Sequence, residues 1–70
     1  MKILIVEDDE AILDGLAFCL RKEEFEIVCT ALGEEAYHIT KEQDFDLLLL
    51  DINLPDMNGL KLYRKIKEIK

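Results

Sequence analysis

Hydrophobic residues in this chain fall into short unbroken runs separated by longer stretches with helical spacing. Two aliphatic runs, residues 3–6 (ILIV) and 47–50 (LLLL), each lead straight into carboxylates. An unbroken aliphatic run is typical of a strand buried on both faces of a parallel sheet. A third segment, residues 25–30, alternates apolar and polar residues and fits an edge strand better than a central one. The pattern therefore predicts three strands, the first of which begins at Lys2.

Apolar residues three and four positions apart predict a helix after each strand. The first helix is expected over about residues 10–23, the second from Gly33 to about Glu42, and the third over about residues 60–70. The expected apolar faces are Ile12, Leu13, Leu16, Ala17, Cys19 and Leu20 in the first helix, Ala36, Tyr37 and Ile39 in the second, and Leu62, Tyr63, Ile66 and Ile69 in the third. Residues 51–59, between the third strand and the third helix, are rich in turn formers and are predicted to be a loop.

Strands that alternate with helices at this spacing predict right-handed βα units and a parallel sheet. The first strand must be central and the second an edge, so the natural strand order is 2-1-3. The predicted fold class is α/β, a doubly wound parallel sheet with three βα units in one domain over residues 1–70. A domain of this size buries only about 60% of the surface of its unfolded chain, so its stability is marginal.

Acidic side chains follow the first and third strands where each strand ends. Open parallel sheets bind ligands beyond the carboxyl ends of their strands, and the order 2-1-3 makes these two strands neighbours. We therefore expect Asp8, Asp9 and Asp51 to meet in one crevice. Crowded carboxylates repel one another, and oxygen ligands without soft donors favour a hard cation such as Mg²⁺. Either Asp8 or Asp9 could instead cap the first helix, so each acid alone has a structural explanation.

The formal net charge of −7 disfavours nucleic acid and anionic membranes as partners for this chain. The bases cluster near the C-terminus as Lys61, Arg64, Lys65, Lys67 and Lys70. They form either a docking face for an acidic surface or, more simply, a solvated helix flank. We expect Cys19 and Cys29 to be buried free thiols. No segment has the pattern of a signal peptide or a membrane span, so the expected location is cytoplasmic.

Residues 2–9 (KILIVEDD), taken with residues 51–59 (DINLPDMNG), closely resemble the receiver domain of bacterial two-component response regulators. The similarity covers the whole chain and implies a flavodoxin-like (CheY-like) fold. The opening residues, through Leu16, look most like receivers attached to winged-helix DNA-binding domains. The resemblance therefore implies a role in two-component phosphorelay signalling, and control of transcription by the intact protein.

The resemblance also implies a role for each site residue. Asp51 is expected to accept a phosphoryl group from the phosphohistidine of a sensor histidine kinase, and it is also an expected ligand of Mg²⁺. Asp9 is expected to hold the ion directly and Asp8 through water. Asn53 is expected to contribute its backbone carbonyl.

A receiver domain has five βα units, whereas this chain has three. The fourth strand of a receiver ends in a Ser or Thr, and the fifth ends in a Lys that pairs with the phosphoryl oxygens. Lys61 and Lys65 cannot replace that Lys, because both belong to the third helix. We therefore expect a truncated receiver without an output domain. The alternative is a half-domain fragment that self-associates or docks on a kinase without productive phosphorylation.

Two enzymatic alternatives fit less well, and we expect no enzyme. A haloacid-dehalogenase-like phosphatase has a second acid two residues after its nucleophile, where this chain has Asn53. A dinucleotide-binding half-domain needs a glycine-rich turn after the first strand, where residues 7–10 (EDDE) would repel a pyrophosphate.

The third strand also predicts an association between copies of the chain. In the order 2-1-3 its outer edge has unpaired backbone groups beside four leucines, and the sheet faces are only partly covered. We expect a homodimer with two-fold symmetry, formed through the third-strand edge or a sheet face.

Overall fold

A computed structural model of the chain describes residues 1–69, in which three strands alternate with three helices. The elements are β1 Lys2–Val6, α1 Glu10–Lys22, β2 Glu26–Thr30, α2 Gly33–Glu42, β3 Leu47–Leu50 and α3 Gly59–Ile69. All the strand pairs are parallel and the strand order is β2-β1-β3. The predicted α/β class and strand order are confirmed. Lys70, which the sequence placed in the third helix, lies outside the described residues.

The central strand β1 is the most deeply buried element. Residues 3–6 are each at most 1% exposed. Ile5 is paired with Cys29 of β2 on one side and with Leu49 of β3 on the other. The aliphatic run of β1 is therefore buried on both faces, as its sequence predicts.

The leucine strand β3 is less buried than its sequence suggests. Leu47 is 41% exposed, and the other three leucines are half-buried. The expectation of burial on both faces is wrong for this strand. The physical reason is its position, because β3 has a neighbouring strand on one side only among the described residues.

One face of the sheet is covered by α2 and α3, and the main core lies there. Its fully buried members come from β1, both helices and the loop between β3 and α3: Leu4, Val6, Ala36, Leu54, Leu62 and Ile66. Ile69 and Tyr63, predicted on the apolar face of α3, are 38% and 46% exposed, so they contribute little to this core.

Among residues 1–69, the helix on the opposite face is α1, which packs against β2. Ala17 of this helix is buried, and Leu13 and Leu20 on the same stripe are half-buried. Ile12, Leu16 and Cys19, which were predicted on the same apolar face, are exposed. This part of the predicted face is therefore wrong, because a single helix beside β2 cannot cover the sheet as far as β3.

The same geometry corrects the expected burial of the cysteines. Cys19 is a free, exposed thiol, whereas Cys29 is free and half-buried. Burial raises the pKa of the Cys29 thiol above its usual value. Within residues 1–69, no helix has the length and apolar composition needed to cross a membrane.

The core between α2, α3 and the sheet predicts a sharp contrast between two leucines of α3. Leu62 is 0% exposed and Leu60 is 53% exposed. We expect Leu62→Ala to lower the free energy of unfolding by about 2–5 kcal/mol, because it leaves a cavity in the core. Leu60→Ala is expected to change it by less than about 0.5 kcal/mol. Urea denaturation followed by circular dichroism measures both, and equal losses would contradict this core.

Candidate functional site

Backbone hydrogen bonds continue beyond the strand ends and align the acidic segments. The Glu7 N–H donates to the Thr30 carbonyl at 3.1 Å, and the Asp51 N–H donates to the Val6 carbonyl at 2.9 Å. These bonds extend the pairing of β1 with both of its neighbours. As a result, the chain after β1 and the chain after β3 leave the sheet side by side.

Three carboxylates meet where these two segments leave the sheet. Glu7, Asp8 and Asp51 each offer one carboxylate oxygen, and these oxygens all lie within 4.8 Å of one another. Glu7 and Asp51 are half-buried and Asp8 is exposed. A set of hard oxygen donors at this spacing, open to water on one side, suits a cation such as Mg²⁺ that retains several waters.

The structure thus brings the carboxylates of Asp8 and Asp51 together, whereas the carboxylate of Asp9 caps helix α1. Asp9 is the N-cap residue of α1, and its Oδ1 accepts from the N–H groups of Ala11 at 3.0 Å and Ile12 at 3.2 Å. Its carboxylate is not in the group of three. Of the two acids that could cap this helix, the structure therefore selects Asp9, and its expected role as a direct ligand of Mg²⁺ stays a prediction.

Glu7 is the residue that the sequence reasoning left out of the site. The sequence did indicate that Glu7 belongs to the site. Asp9 is directly next to the start of α1 and is therefore a better candidate for the N-cap than Asp8. With Asp9 assigned to the cap, Glu7 and Asp8 remain as the pair after β1. The Asp9 N–H also donates to Glu7 Oε1 at 3.3 Å, which helps to hold the Glu7 side chain at the site.

Burial and the neighbouring acids both affect the pKa of Glu7. Burial raises the pKa of the Glu7 carboxyl above its usual value, and the neighbouring Asp51 and Asp8 carboxylates act in the same direction. The hydrogen bond from the Asp9 N–H opposes this effect. A bound cation would favour the ionised form of Glu7, because opposite charge lowers a carboxyl pKa.

The loop between β3 and α3, residues 51–58, folds back on itself next to the acids and is closed by Gly59 at the start of α3. The Asn53 N–H donates to Asp51 Oδ1 at 3.3 Å, and Asn53 forms an antiparallel bridge with Asn58. The Gly59 N–H donates to the Ile52 carbonyl at 2.7 Å. A Cβ at Gly59 would collide with the Asp51 carbonyl oxygen, so the close return of the loop requires glycine here.

The far side of this loop is bound to helix α2 by Asp56. Asp56 Oδ1 accepts from the Gly33 N–H at 2.8 Å, and Oδ2 accepts from the Glu34 N–H at 2.9 Å. The helix's own N-cap residue, Leu32, makes no side-chain cap. These hydrogen bonds hold the pKa of Asp56 below its usual value. Their stabilisation is therefore present above pH 3.8 and is lost as the pH falls through the lower native pKa.

Lys65 of α3 and His38 of α2 both contact neighbouring side chains within the fold. Lys65 Nζ lies 3.4 Å from the Glu34 carboxylate and 4.3 Å from the centre of the Tyr37 ring, so it links α3 to α2. His38 is exposed, and its Nε2 lies 3.4 Å from Glu34. These contacts agree with a structural role for both residues.

Comparison with known proteins gives a single family. Residues 3–70 match the model of the response regulator receiver domain. The cell cycle response regulator CtrA of Brucella ovis is 42% identical over 67 residues, which cover 96% of this chain and 29% of CtrA. The chain therefore spans under a third of the length of this curated relative.

Solved structures support the same family. A response regulator receiver domain protein (CheY-like) from Methanospirillum hungatei has a TM-score of 0.95 and 39% identity, covering 99% of this chain and 55% of that one. The receiver domain of sensor histidine kinase PA1611 from Pseudomonas aeruginosa has a TM-score of 0.92 and 28% identity, covering 96% and 55%. That structure has a magnesium ion coordinated in its active site cleft. The fold is therefore CheY-like, and this chain belongs to the response regulator receiver domain family of two-component systems.

Proposed function

We propose that this chain is a phosphoacceptor, in which Asp51 receives a phosphoryl group from the phosphohistidine of a sensor histidine kinase. The observation that carries the proposal is the meeting of the Glu7, Asp8 and Asp51 carboxylates at the ends of two paired strands. Membership in the receiver family supports the same role, because receiver domains interact with histidine kinases. The chain then acts as a signalling domain rather than an enzyme.

The proposed transfer forms one bond and breaks one. A carboxylate oxygen of Asp51 bonds to phosphorus, and the bond between phosphorus and the kinase imidazole nitrogen breaks. The electron pair stays on that nitrogen, which is then protonated by solvent. Asp51 is half-buried and the neighbouring Asp8 is exposed, so the group of acids borders solvent, from which the phosphoryl group would arrive. The Asn53 N–H, bonded to Asp51 Oδ1, orients the carboxylate for attack by its other oxygen.

Mg²⁺ is the proposed cofactor, and it would offset the negative charge that gathers at Asp51. The carboxylates of Glu7, Asp8 and Asp51 would hold it, with the Asn53 backbone carbonyl as the further ligand expected from the sequence. This set includes Glu7 where the sequence suggested Asp9, because the Asp9 carboxylate is engaged at the start of α1. The magnesium in the similar PA1611 receiver supports the choice of ion.

The wider role that we propose is control of transcription by the protein to which this receiver belongs. Its similarity to the cell cycle response regulator CtrA, of which the aligned part is 29%, supports a response regulator, and the winged-helix class is proposed from the resemblance of the opening residues. The alternative is a half-domain that self-associates or occupies a kinase without accepting phosphate. In either case we propose a cytoplasmic location and no contact of this chain with nucleic acid.

Phosphorylation of Asp51 separates these two roles. We expect the chain, incubated with acetyl phosphate and Mg²⁺, to gain one phosphoryl group that mass spectrometry detects on Asp51. Asp51→Asn is expected to abolish the modification, because the amide oxygen is a much poorer nucleophile. A matched control, Asp46→Asn, removes a carboxylate at the opposite end of β3 and should leave the modification intact. Absence of label on the folded wild-type chain would favour the fragment that docks without accepting phosphate.

Metal binding tests the assignment of Glu7 against Asp9. We expect Mg²⁺ to saturate the wild-type chain only in the millimolar range, because the ion keeps most of its waters. Glu7→Gln should weaken binding several-fold. Asp9→Asn should leave it nearly unchanged, because Asn is an equally good N-cap and the carboxylate is not among the ligands. NMR shifts of the site amides during titration measure all three affinities, and a larger effect of Asp9→Asn would restore the assignment made from the sequence.

We also propose that two copies of the chain associate through the β3 side of the molecule. Leu47, Ile12 and Leu16 expose apolar side chains on this side, and Leu49 is half-buried next to Leu16. A second copy is the proposed occupant because a two-fold axis pairs one such surface with another and leaves none open. The net charge of −7 opposes growth beyond the dimer.

Sedimentation equilibrium tests this association. We expect the wild-type chain to form a dimer, and Leu47→Lys to shift the equilibrium at least tenfold toward the monomer by placing a charge in the interface. Leu60→Lys, on the exposed side of α3, is the control and should dimerise like the wild type. A wild-type chain that remains a folded monomer at high concentration would contradict the proposal.

A further inference from the structure

The loop at residues 51–58 carries the proposed phosphoacceptor at its start, and its tip lies against helix α2. At its base the loop is closed by the bond from Gly59 to Ile52 and by the bridge between Asn53 and Asn58. Leu54 is 8% exposed and anchors the middle of the loop in the core. Beyond Leu54, Asp56 and Met57 at the tip of the loop contact helix α2.

Two neighbouring residues make these contacts, and both reach the same point of α2. Asp56 accepts hydrogen bonds from the Gly33 and Glu34 N–H groups with its two oxygens. Met57 packs over Gly33 so closely that a Cβ there would lie 2.8 Å from the Met57 sulfur. Gly33 therefore lets the loop tip lie directly on the first turn of the helix.

The chemistry of this contact makes it stronger than a typical surface hydrogen bond. A carboxylate that accepts from two N–H groups at a helix N-terminus gains from the charge-assisted bonds and from the helix dipole. The hydrogen bonds from the Glu34 and Gly33 N–H groups hold the pKa of Asp56 below its usual value. Lys65 of α3 acts in the same direction. The Glu34 carboxylate lies in the same region and is paired with Lys65.

We infer that Asp56 is a positioning residue for the phosphoacceptor site, which holds the loop in the conformation that presents Asp51 and the Asn53 backbone to the cation. Asp56 lies outside the carboxylate group and touches neither the ion nor the phosphoryl group in this role. It acts through the loop, which begins at Asp51 and is closed by Gly59. The inference rests on the proposed function, because it names the metal-binding site as the part that Asp56 orders.

The consequence is an energetic link between the site and the start of α2. If Asp56 favours the loop conformation that binds the cation, then cation binding must equally favour the contact between Asp56 and α2. The amides of Gly33 and Glu34 should therefore respond to Mg²⁺, although neither residue belongs to the site.

The test is a Mg²⁺ titration of the whole chain, followed by the backbone amide signals, for the wild type and three variants. Asp56→Asn retains one acceptor oxygen but loses the charge, and Asp56→Ala loses the contact. We expect both to weaken Mg²⁺ binding, by about three- to tenfold for the loss of a partly exposed charged contact. Glu35→Gln is the control, since it also removes one negative charge at the first turn of α2 but leaves Asp56 and its hydrogen bonds in place, and it should bind like the wild type.

In the wild type we also expect Mg²⁺ to move the Gly33 and Glu34 amide signals, and in Asp56→Ala this response should disappear. The inference is overturned if both Asp56 variants bind Mg²⁺ as tightly as the wild type, or if Glu35→Gln weakens binding as much as they do. The proposed function is still supported in either case.

If instead the wild type shows no saturable response to Mg²⁺, the proposed metal site is wrong, and the metal-free signals decide the inference. Amide signals of residues 51–54 that move in Asp56→Ala and not in Glu35→Gln support a loop held by Asp56. Signals that stay in place in both variants overturn it.

Discussion

The pairing of β1 with a strand on each side is the interaction on which the rest of the molecule depends. Residues 3–6 lose almost all contact with water, and their backbone groups are bonded to β2 and β3. The same pairing fixes where the chain leaves the sheet, since Glu7 is bonded to Thr30 and Asp51 to Val6. The acidic site is therefore built by the backbone first, and the side chains follow from it.

This origin explains why carboxylates that repel one another are found together. Each acid follows a strand whose burial is favourable, at roughly 25 cal/mol per Å² of apolar surface, and the gain from the aliphatic runs outweighs the repulsion of a few partly exposed charges. Burial raises the pKa of Glu7, and the neighbouring Asp51 and Asp8 carboxylates act in the same direction. Such local cost at a site that a stable framework holds in place is typical of functional residues.

The sequence was sufficient for the fold because periodicity and order act over the whole chain. Three strands, three helices and the order 2-1-3 follow from apolar spacing and from the burial that β1 requires. It was less informative where burial depends on neighbours: Leu47 and Leu16 have the composition of core residues, yet both are exposed beside the open edge of the sheet. The hydrophobic pattern of the sequence indicates which residues can be buried. The arrangement of the helices and strands determines which of them are buried.

The site was likewise predicted in outline and not in detail. Asp8 and Asp51 were identified from their places at strand ends, but the choice between Glu7 and Asp9 depended on which acid caps α1. The contact of Asp56 with Gly33 and Glu34 had no sequence signal, because its partners are 22 and 23 residues away. Local rules for helix caps consider only residues next to the helix start. At that position α2 has Leu32, whose side chain cannot accept a hydrogen bond.

The long segment of chain between β1 and β3 also links cation binding to folding. Asp51 reaches Glu7 only after two helices and a strand have been formed and β3 has paired with β1, so an unfolded chain has no such group of acids. A cation held by them binds the native state alone, and it adds about 0.4 kcal/mol to the free energy of unfolding when its concentration equals its dissociation constant. For a chain of 70 residues with a small core, a cation bound by these acids would stabilise the fold in addition to its proposed role in the chemistry.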